Sequence, residues 1–269
     1  MDVGKKRRLK RILEQDGKTV IVPMDHGVTL GPISGLINMQ ELINKLALGK
    51  TDAILLHKGI AESIDTYRMG LIIHLNASTV LSPDSQWKIP ICSVEQAIRL
   101  GADCVSIHVN IGTEKENQML NYLGAVSDRC AIYGVPLLAM IYPRGSYIKD
   151  HNSSKNGDFD TDLIKHAARI GSELGADLVK TNYTGSVDTF REVTKACLTP
   201  VVIAGGPKMG TSEDLLRMVY DSIQAGGAGV AIGRNIFQHK NPRAMVSAIT
   251  AIVHNDASVK DGLKILGEV

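Results

Sequence analysis

The residues Ala176-Asp177-Leu178-Val179-Lys180-Thr181-Asn182-Tyr183 form an apolar run with one lysine near its far end, closed by the loop Thr184-Gly185. Read as a buried strand, the run delivers a four-carbon amine among apolar neighbours. Burial disfavours the charged ammonium, and a neutral amine attacks carbonyl carbon to form a Schiff base. The plain alternative is a lysine that snorkels, or pairs with a carboxylate, at a strand end. The rest of the chain has to choose between them.

Seven further runs of the same kind flank this one. They are Thr19 to Met24, Ala53 to Leu56, Leu71 to Leu75, Cys104 to Val109, Leu137 to Ile141, Val201 to Ala204 and Gly229 to Ile232. Continuous apolar runs, rather than alternating ones, suit parallel strands covered on both faces. The segments between them read as helices. Ser93 is placed to cap one of them, Ser186 precedes a second, Thr161 precedes a third, Ser212 starts a fourth, and Asn241-Pro242 is a cap followed by proline in the first turn. Gly-Ala-Asp at Gly101 and Gly175, and Gly-Ala-Gly at Gly227, punctuate what reads as one recurring helix-to-strand corner.

Eight strands alternating with helices predict an α/β fold, a (β/α)8 TIM barrel. A chain of 269 residues fits it as one domain, 1–269, with a short N-terminal helix and an extra C-terminal helix. The rival, an open doubly wound sheet, calls for a glycine-rich fingerprint after the first strand. Here that loop is Asp25-His26-Gly27-Val28-Thr29, and the glycine pairs follow the seventh and eighth strands. The polar stretch Asn152 to Asp158 reads as a mobile loop over the mouth.

An apolar fraction of 44% with 26 glycines suits a buried core with many tight turns. The net charge of +2 gives no general attraction to nucleic acid or membrane, and no run is long enough to span a bilayer. The basic start Lys5-Lys6-Arg7-Arg8, followed by Leu9, Ile12 and Leu13, reads as an amphipathic helix closing the barrel floor rather than a nucleic-acid patch. It lacks the apolar core of a signal peptide. Cys92, Cys104, Cys130 and Cys197 form no CxxC pair, which predicts reduced thiols in a cytoplasmic protein.

Active sites of such barrels lie at the C-terminal ends of the strands, and phosphate often binds after strands seven and eight. Gly205-Gly206 and Gly233-Arg234 stand in those two loops. Glycines let backbone N–H groups approach an anion, and arginine adds charge-assisted hydrogen bonds; tight corners alone would also use glycine. Lys58 and Lys180 both end strands. Lys58, between His57 and Gly59, orients substrate or is a loop cation. Tyr142 is a candidate general acid, or a rim tyrosine. Asp25 is a candidate base, or a cap of its loop. His26, His57, His74 and His108 also end strands, but no His-x-x-x-His or Cys/His cluster accompanies them. No metal and no cofactor is expected.

Taken together, Val22-Pro23-Met24-Asp25-His26-Gly27, Leu56-His57-Lys58-Gly59, Ser106-Ile107-His108-Val109-Asn110, Tyr142-Pro143-Arg144-Gly145, Val179-Lys180-Thr181, Ala204-Gly205-Gly206-Pro207-Lys208 and Gly233-Arg234-Asn235-Ile236-Phe237-Gln238 resemble the archaeal-type class I aldolases of the DeoC/LacD-like superfamily. The match runs from about Thr19 to about His254, and Ser146 to Asp160 departs from the family pattern. The resemblance implies a Schiff base on Lys180, proton donation by Tyr142 and proton abstraction by Asp25. It places substrate contacts at Asp25, His26, Gly27, Val28 and Thr29, and at Tyr142, Pro143 and Arg144. Phosphate falls to Gly205, Gly206, Gly233 and Arg234.

The activity it implies is a transaldol exchange between small phosphorylated ketose and aldehyde substrates. A three-carbon unit passes from 6-deoxy-5-ketofructose 1-phosphate to L-aspartate semialdehyde, in an alternative route to 3-dehydroquinate and aromatic amino acids. The alternatives are a class I fructose-bisphosphate aldolase, a relative condensing dihydroxyacetone phosphate with aspartate semialdehyde, and a silent barrel that binds sugar phosphates. The resemblance also implies a homo-oligomer, a decamer of pentameric rings.

Overall fold

A computed structural model describes residues 2–151 and 159–268; the expected loop Asn152 to Asp158 lies outside the described residues. Eight parallel strands close into a barrel. In chain order they are β1 (Thr19–Pro23), β2 (Ala53–Leu56), β3 (Gly70–His74), β4 (Cys104–Ile111), β5 (Leu137–Pro143), β6 (Leu178–Thr181), β7 (Val201–Ala204) and β8 (Gly229–Ala231). Each pairs with its sequence neighbours, and β8 returns to β1 through Thr19 opposite Gly229. All eight apolar runs are barrel strands, with ends shifted by a residue or two.

The runs are continuous because each strand is buried twice. Ile21, Leu55, Ile72, Leu138, Leu178 and Val202 point inward and pack on one another. Their neighbours Val20, Val22, Ile54, Ile73, Val105 and Val179 point outward, under the helices. Side chains alternate sides along a strand, so each inward series also determines what reaches the mouth. Truncating one of these buried leucines to alanine removes about 2–5 kcal/mol of stability.

The helix Val3–Leu9 is followed by a turn that inserts Ile12, almost fully buried, into the inward cluster, with Leu9 and Leu13 packed beside it. The floor plug is therefore the turn as much as the helix. Lys5 pairs with Asp177 at 3.0 Å, Arg11 with Asp103 at 2.6 Å, and Arg8 donates to the Gly134 carbonyl. The C-terminal helix Val259–Leu266 packs beside Pro242–Asn255, opening on a reciprocal Ser258–Asp261 cap.

Most helix starts match their sequence signals. Ser93, Ser186 and Asn241 each accept a backbone N–H in the first turn. One assignment moves by one residue. Thr161 is the first residue of its helix, and Asp160 caps it; Ser212 starts its helix as expected, and Thr211 caps it. The third corner also moves. The left-handed conformation (φ +89°) that Gly101 and Gly175 show belongs to Gly226, whereas a side chain on Gly227 would meet the Ser222 carbonyl.

The connections are unequal. Between β2 and β3 the one helix is the four-residue Lys58–Ala61. Between β3 and β4 the chain first forms a short hairpin, Asn76–Ala77 against Ile89–Pro90, before the helix Val94–Arg99. That hairpin brings a long loop toward the mouth. No helix among the described residues is long and apolar enough to cross a membrane.

Candidate active site

The inward series ends in polar residues at the C-terminal mouth. Leu178 points inward, so Lys180, two residues on, does too. The same parity carries Leu138 and Met140 to Tyr142, Ile21 to Asp25, Ile72 to His74, and Ala231 to Gly233. Met140 stands directly opposite Lys180 across the β5–β6 ladder, and Tyr142 is one inward position above it.

These residues share a cavity of about 250 Å³. It brings together Asp25, His26 and Thr29 of the first loop, Tyr142 and Arg144 of the fifth, and Lys180 of β6. Gly205 and Gly206, with Gly233 and Arg234, close its other side. Gly27, Val28 and Pro143 are not among its lining residues. Lys58 is not brought there either: its side chain is exposed at the start of the helix Lys58–Ala61. The strand end that Lys58 follows delivers His57 to the buried mouth instead, because one step along a strand reverses the side.

A larger cavity, about 720 Å³, opens at the opposite end of the barrel among Lys10, Asn44, Lys50, Tyr67 and Arg68. It lies at the N-terminal ends of the strands, away from Lys180. Chemistry, rather than size, locates the site.

Two lining residues carried no sequence signal. Lys88, from the hairpin loop, is 8% exposed and faces the cavity. Asn182 follows β6 and is buried at the rim. A third residue acts from behind. Buried Asn235 donates to the carbonyls of Gly205 (2.8 Å) and Pro207 (3.0 Å) and accepts from the Met209 N–H (2.7 Å). It thereby fixes the loop that follows β7. In that loop Gly206 has φ +62°, and a side chain on Gly205 would meet Ile232. A side chain on Gly233 would meet the His26 ring and the Pro23 carbonyl.

The histidines are mostly structural partners. His74 Nδ1 lies 2.7 Å from Ser106 Oγ, and His108 Nε2 lies 2.8 Å from Asn110 Oδ1. Asn76 bridges the backbone of His108 with both ends of its amide. Burial pushes His74 down to about 3 and holds His26, His57 and His108 below the usual imidazole value. Among the described residues, no group of three His, Cys, Asp or Glu side chains could hold a metal ion.

Asp25 is the one carboxylate lining the cavity among the described residues. Burial raises its pKa, but His74, His26, Lys180 and His57 outweigh burial and hold it well below the usual carboxylate range. Asp25 Oδ2 lies 3.9 Å from His74 Nε2, and Oδ1 lies 3.6 Å from His26 Nδ1. Both distances exceed a hydrogen bond, which leaves the carboxylate free to accept from a ligand.

Against this single anion stand Lys180, Lys88, Arg144 and Arg234. Among the described residues Arg234 Nε, though buried, has no hydrogen-bond partner. Arg144 stacks its guanidinium 4.3 Å from the Tyr142 ring centre, and His108 meets the same ring edge-on at 5.0 Å. A buried amine and a free carboxylate, with a tyrosine beside a guanidinium, can carry carbonyl chemistry on anionic substrates.

A family model described as DeoC/LacD family aldolase matches residues 19–239. The 2-amino-3,7-dideoxy-D-threo-hept-6-ulosonate synthase 1 of Archaeoglobus fulgidus is 43% identical over 270 residues, covering 99% of this chain and 97% of its own. The 2-amino-4,5-dihydroxy-6-oxo-7-(phosphonooxy)heptanoate synthase of Streptomyces griseus is 42% identical, covering 93% and 90%. Among solved structures, a Schiff-base-forming fructose-1,6-bisphosphate aldolase superposes with a TM-score of 0.85 at 30% identity, over 93% of this chain and 100% of its own.

Proposed function

Because the chain belongs to the DeoC/LacD aldolase family and is an enzyme of the Schiff-base type, we propose that it is a 2-amino-3,7-dideoxy-D-threo-hept-6-ulosonate synthase. Its reaction joins a three-carbon unit from 6-deoxy-5-ketofructose 1-phosphate to L-aspartate semialdehyde. The observation that carries the chemistry is Lys180, inward on β6, in a cavity holding four cations and one carboxylate. The A. fulgidus relative, similar over almost the whole chain, supports the substrate pair.

The Lys180 amine adds to the methyl ketone of the donor, and water leaves to give an iminium. The carbon–carbon bond then breaks, and its electron pair moves to the iminium nitrogen to form an enamine. Asp25 takes the hydroxyl proton, and hydroxypyruvaldehyde phosphate departs. The enamine carbon attacks the aldehyde carbon of aspartate semialdehyde, Tyr142 gives a proton to the aldehyde oxygen, and the proton that Asp25 took returns to Tyr142 by way of water. Hydrolysis of the new imine frees the product and restores the Lys180 amine.

A second reading has one observation in its favour. The S. griseus relative's product carries a phosphonooxy group beside its 6-oxo carbon. A donor of that kind, dihydroxyacetone phosphate, would keep its phosphate next to the imine. Gly205, Gly206, Gly233 and Arg234 lie on the β7–β8 side of Lys180, away from Tyr142, and suit such a phosphate. Borohydride trapping separates the two. The lysine adduct should map to Lys180, and its mass reports a retained three-carbon fragment without phosphate in the first reading and with phosphate in the second. An adduct on Lys58 or Lys208 would overturn both.

Three coarser expectations join this reading. Strands and packed helices recruit residues from Val3 to Leu266, which supports 1–269 as one domain. The four cysteines are free and buried, which supports a reducing cytoplasmic setting. The exposed apolar side chains Val80, Leu81, Trp87 and Ile89 support a homo-oligomer, a decamer by family resemblance, and light scattering reads its mass.

A further inference from the structure

Among the described residues, Lys88 is the one cation of the cavity that comes from outside the strand ends. It arrives on the hairpin loop between β3 and β4, next to the arm Ile89–Pro90. An ammonium has three donors. One reaches Ser78 Oγ and one the Ser85 carbonyl at 3.1 Å, both neutral acceptors. Among the described residues no carboxylate lies within ion-pair distance of Lys88, and none lies within that distance of Arg144. Burial, then the charge of Arg144, pushes Lys88 down to about 8, while Asp25 and Asp84 pull it back. Two cations that repel each other across a cavity, with no carboxylate paired to either, mark a place where an anion belongs.

The barrel order says which part of a substrate lies there. β5, bearing Tyr142 and leading into Arg144, flanks β6 on one side; β7 and β8, with the glycines and Arg234, flank it on the other. Tyr142 delivers its proton to the aldehyde oxygen, so the aldehyde lies on the Tyr142 side of Lys180. Lys88 and Arg144 stand on that side, and Arg144 stacks on the Tyr142 ring itself.

We propose that Lys88, together with Arg144, forms an anion subsite for the aldehyde half of the reaction, which in the transaldol reading takes the donor phosphate that the family resemblance gave to the glycine and Arg234 cradle. The inference rests on the transaldol reading given above. In that exchange two aldehydes occupy one place in turn, because the same enamine carbon loses the first and attacks the second. The first carries a phosphate out, and the second carries a carboxylate in. A single subsite of two cations serves both, and a neutral aldehyde leaves those charges uncompensated.

The test compares acceptors. L-aspartate semialdehyde supplies a carboxylate, glyceraldehyde 3-phosphate a phosphate, and glycolaldehyde no charge. For Lys88→Met, the ratio of kcat/KM for either anionic acceptor to that for glycolaldehyde should fall about 10- to 100-fold, the usual weight of one charge-assisted hydrogen bond. Lys88→Arg should recover most of it. Equal falls for carboxylate and phosphate mean that the subsite reads charge; a fall for one alone assigns the subsite to that group. An unchanged ratio overturns the proposal, whether Lys88→Met is fully active or uniformly slow. The donor is run both as 6-deoxy-5-ketofructose 1-phosphate and as dihydroxyacetone phosphate. If wild-type protein gives no borohydride adduct with the first, the functional reading fails, while the acceptor ratio measured with the second still decides Lys88.

Discussion

Asp52, Asp103 and Asp177 lie at the floor of the barrel, Asp25 at its mouth, and their surroundings differ. Each floor aspartate precedes an even strand and accepts from an N–H near the start of the strand before it: Val20, Leu71 and Leu137 respectively. Each also meets a cation, in His254, Arg11 and Lys5. One carboxylate thus ties two strands to a terminal segment, three times around the floor. At the mouth, Asp25 has no hydrogen-bonded partner among its histidine neighbours, and Lys88, Arg144 and Arg234 face the cavity with no carboxylate among the described residues in ion-pair distance. The lesson is that similar side chains stabilise the fold where their partners are protein groups, and bind or react where partners are left for a ligand.

Substitutions at the two ends should therefore separate activity from stability, and the largest contrast is at Lys180. Lys180→Arg keeps a cation but cannot form the imine. Turnover should drop to background and borohydride trapping should vanish, with a melting temperature near that of the parent. Turnover by this variant would remove the lysine from the chemistry.

Tyr142→Phe tests the general acid. Turnover should fall by roughly 10²–10⁴-fold while the donor still traps on Lys180. A loss of less than about tenfold would return Tyr142 to the role of a rim residue. Arg234→Ala should raise KM for a donor that keeps its phosphate by about 10- to 100-fold, the weight of lost charged hydrogen bonds. An unchanged KM for dihydroxyacetone phosphate would put that phosphate elsewhere.

On the floor the signs reverse. Asp177→Asn should cost about 1–3 kcal/mol of stability, the scale of a weakened, partly buried charged hydrogen bond. Denaturant melts should show that cost with kcat little changed, and a kcat loss at full stability would break the contrast.

The smallest effect is read by pH. Burial lowers the pKa of His254, but hydrogen bonds to Asp52 and Asp16 outweigh burial and raise it to about 9. Its folded value lies above its unfolded one, so its contribution is fully present below about pH 6.5 and is lost as pH rises through about 9. Discounted for solvent, this is about 1–2 kcal/mol, visible as a falling melting temperature between those limits and absent in His254→Gln. At the mouth, Lys88 faces Arg144, Asp25, Asp84, His74 and His108. Loss of its proton above about pH 8 should lower the anionic-to-neutral acceptor ratio without moving the melting temperature.

Residues close in sequence were the legible ones. The eight strands could be read because burial on both faces demands unbroken apolar runs. The floor aspartates were visible only as punctuation before strands, and their bonds to neighbouring strands were not. At the mouth, Lys180, Tyr142, Asp25 and the two glycine loops were legible as strand ends, since period-two alternation carries an inward series to its last residue. The same alternation, applied to His57, would have turned Lys58 away from the site. Lys88 and Asn235 gave no such signal. Lys88 sits in a long loop whose path over the mouth depends on how the hairpin folds back. Asn235 acts by gripping the carbonyls of a loop some thirty residues earlier in the chain.

The order of apolar runs, their inward parity and the glycine corners were thus set locally, because backbone geometry makes each a matter of neighbouring residues. Which cations would meet a carboxylate and which would be left for a ligand was decided only when the barrel closed. Charge pairing depends on distance in space, and closure puts residues far apart in sequence within a few ångströms of one another.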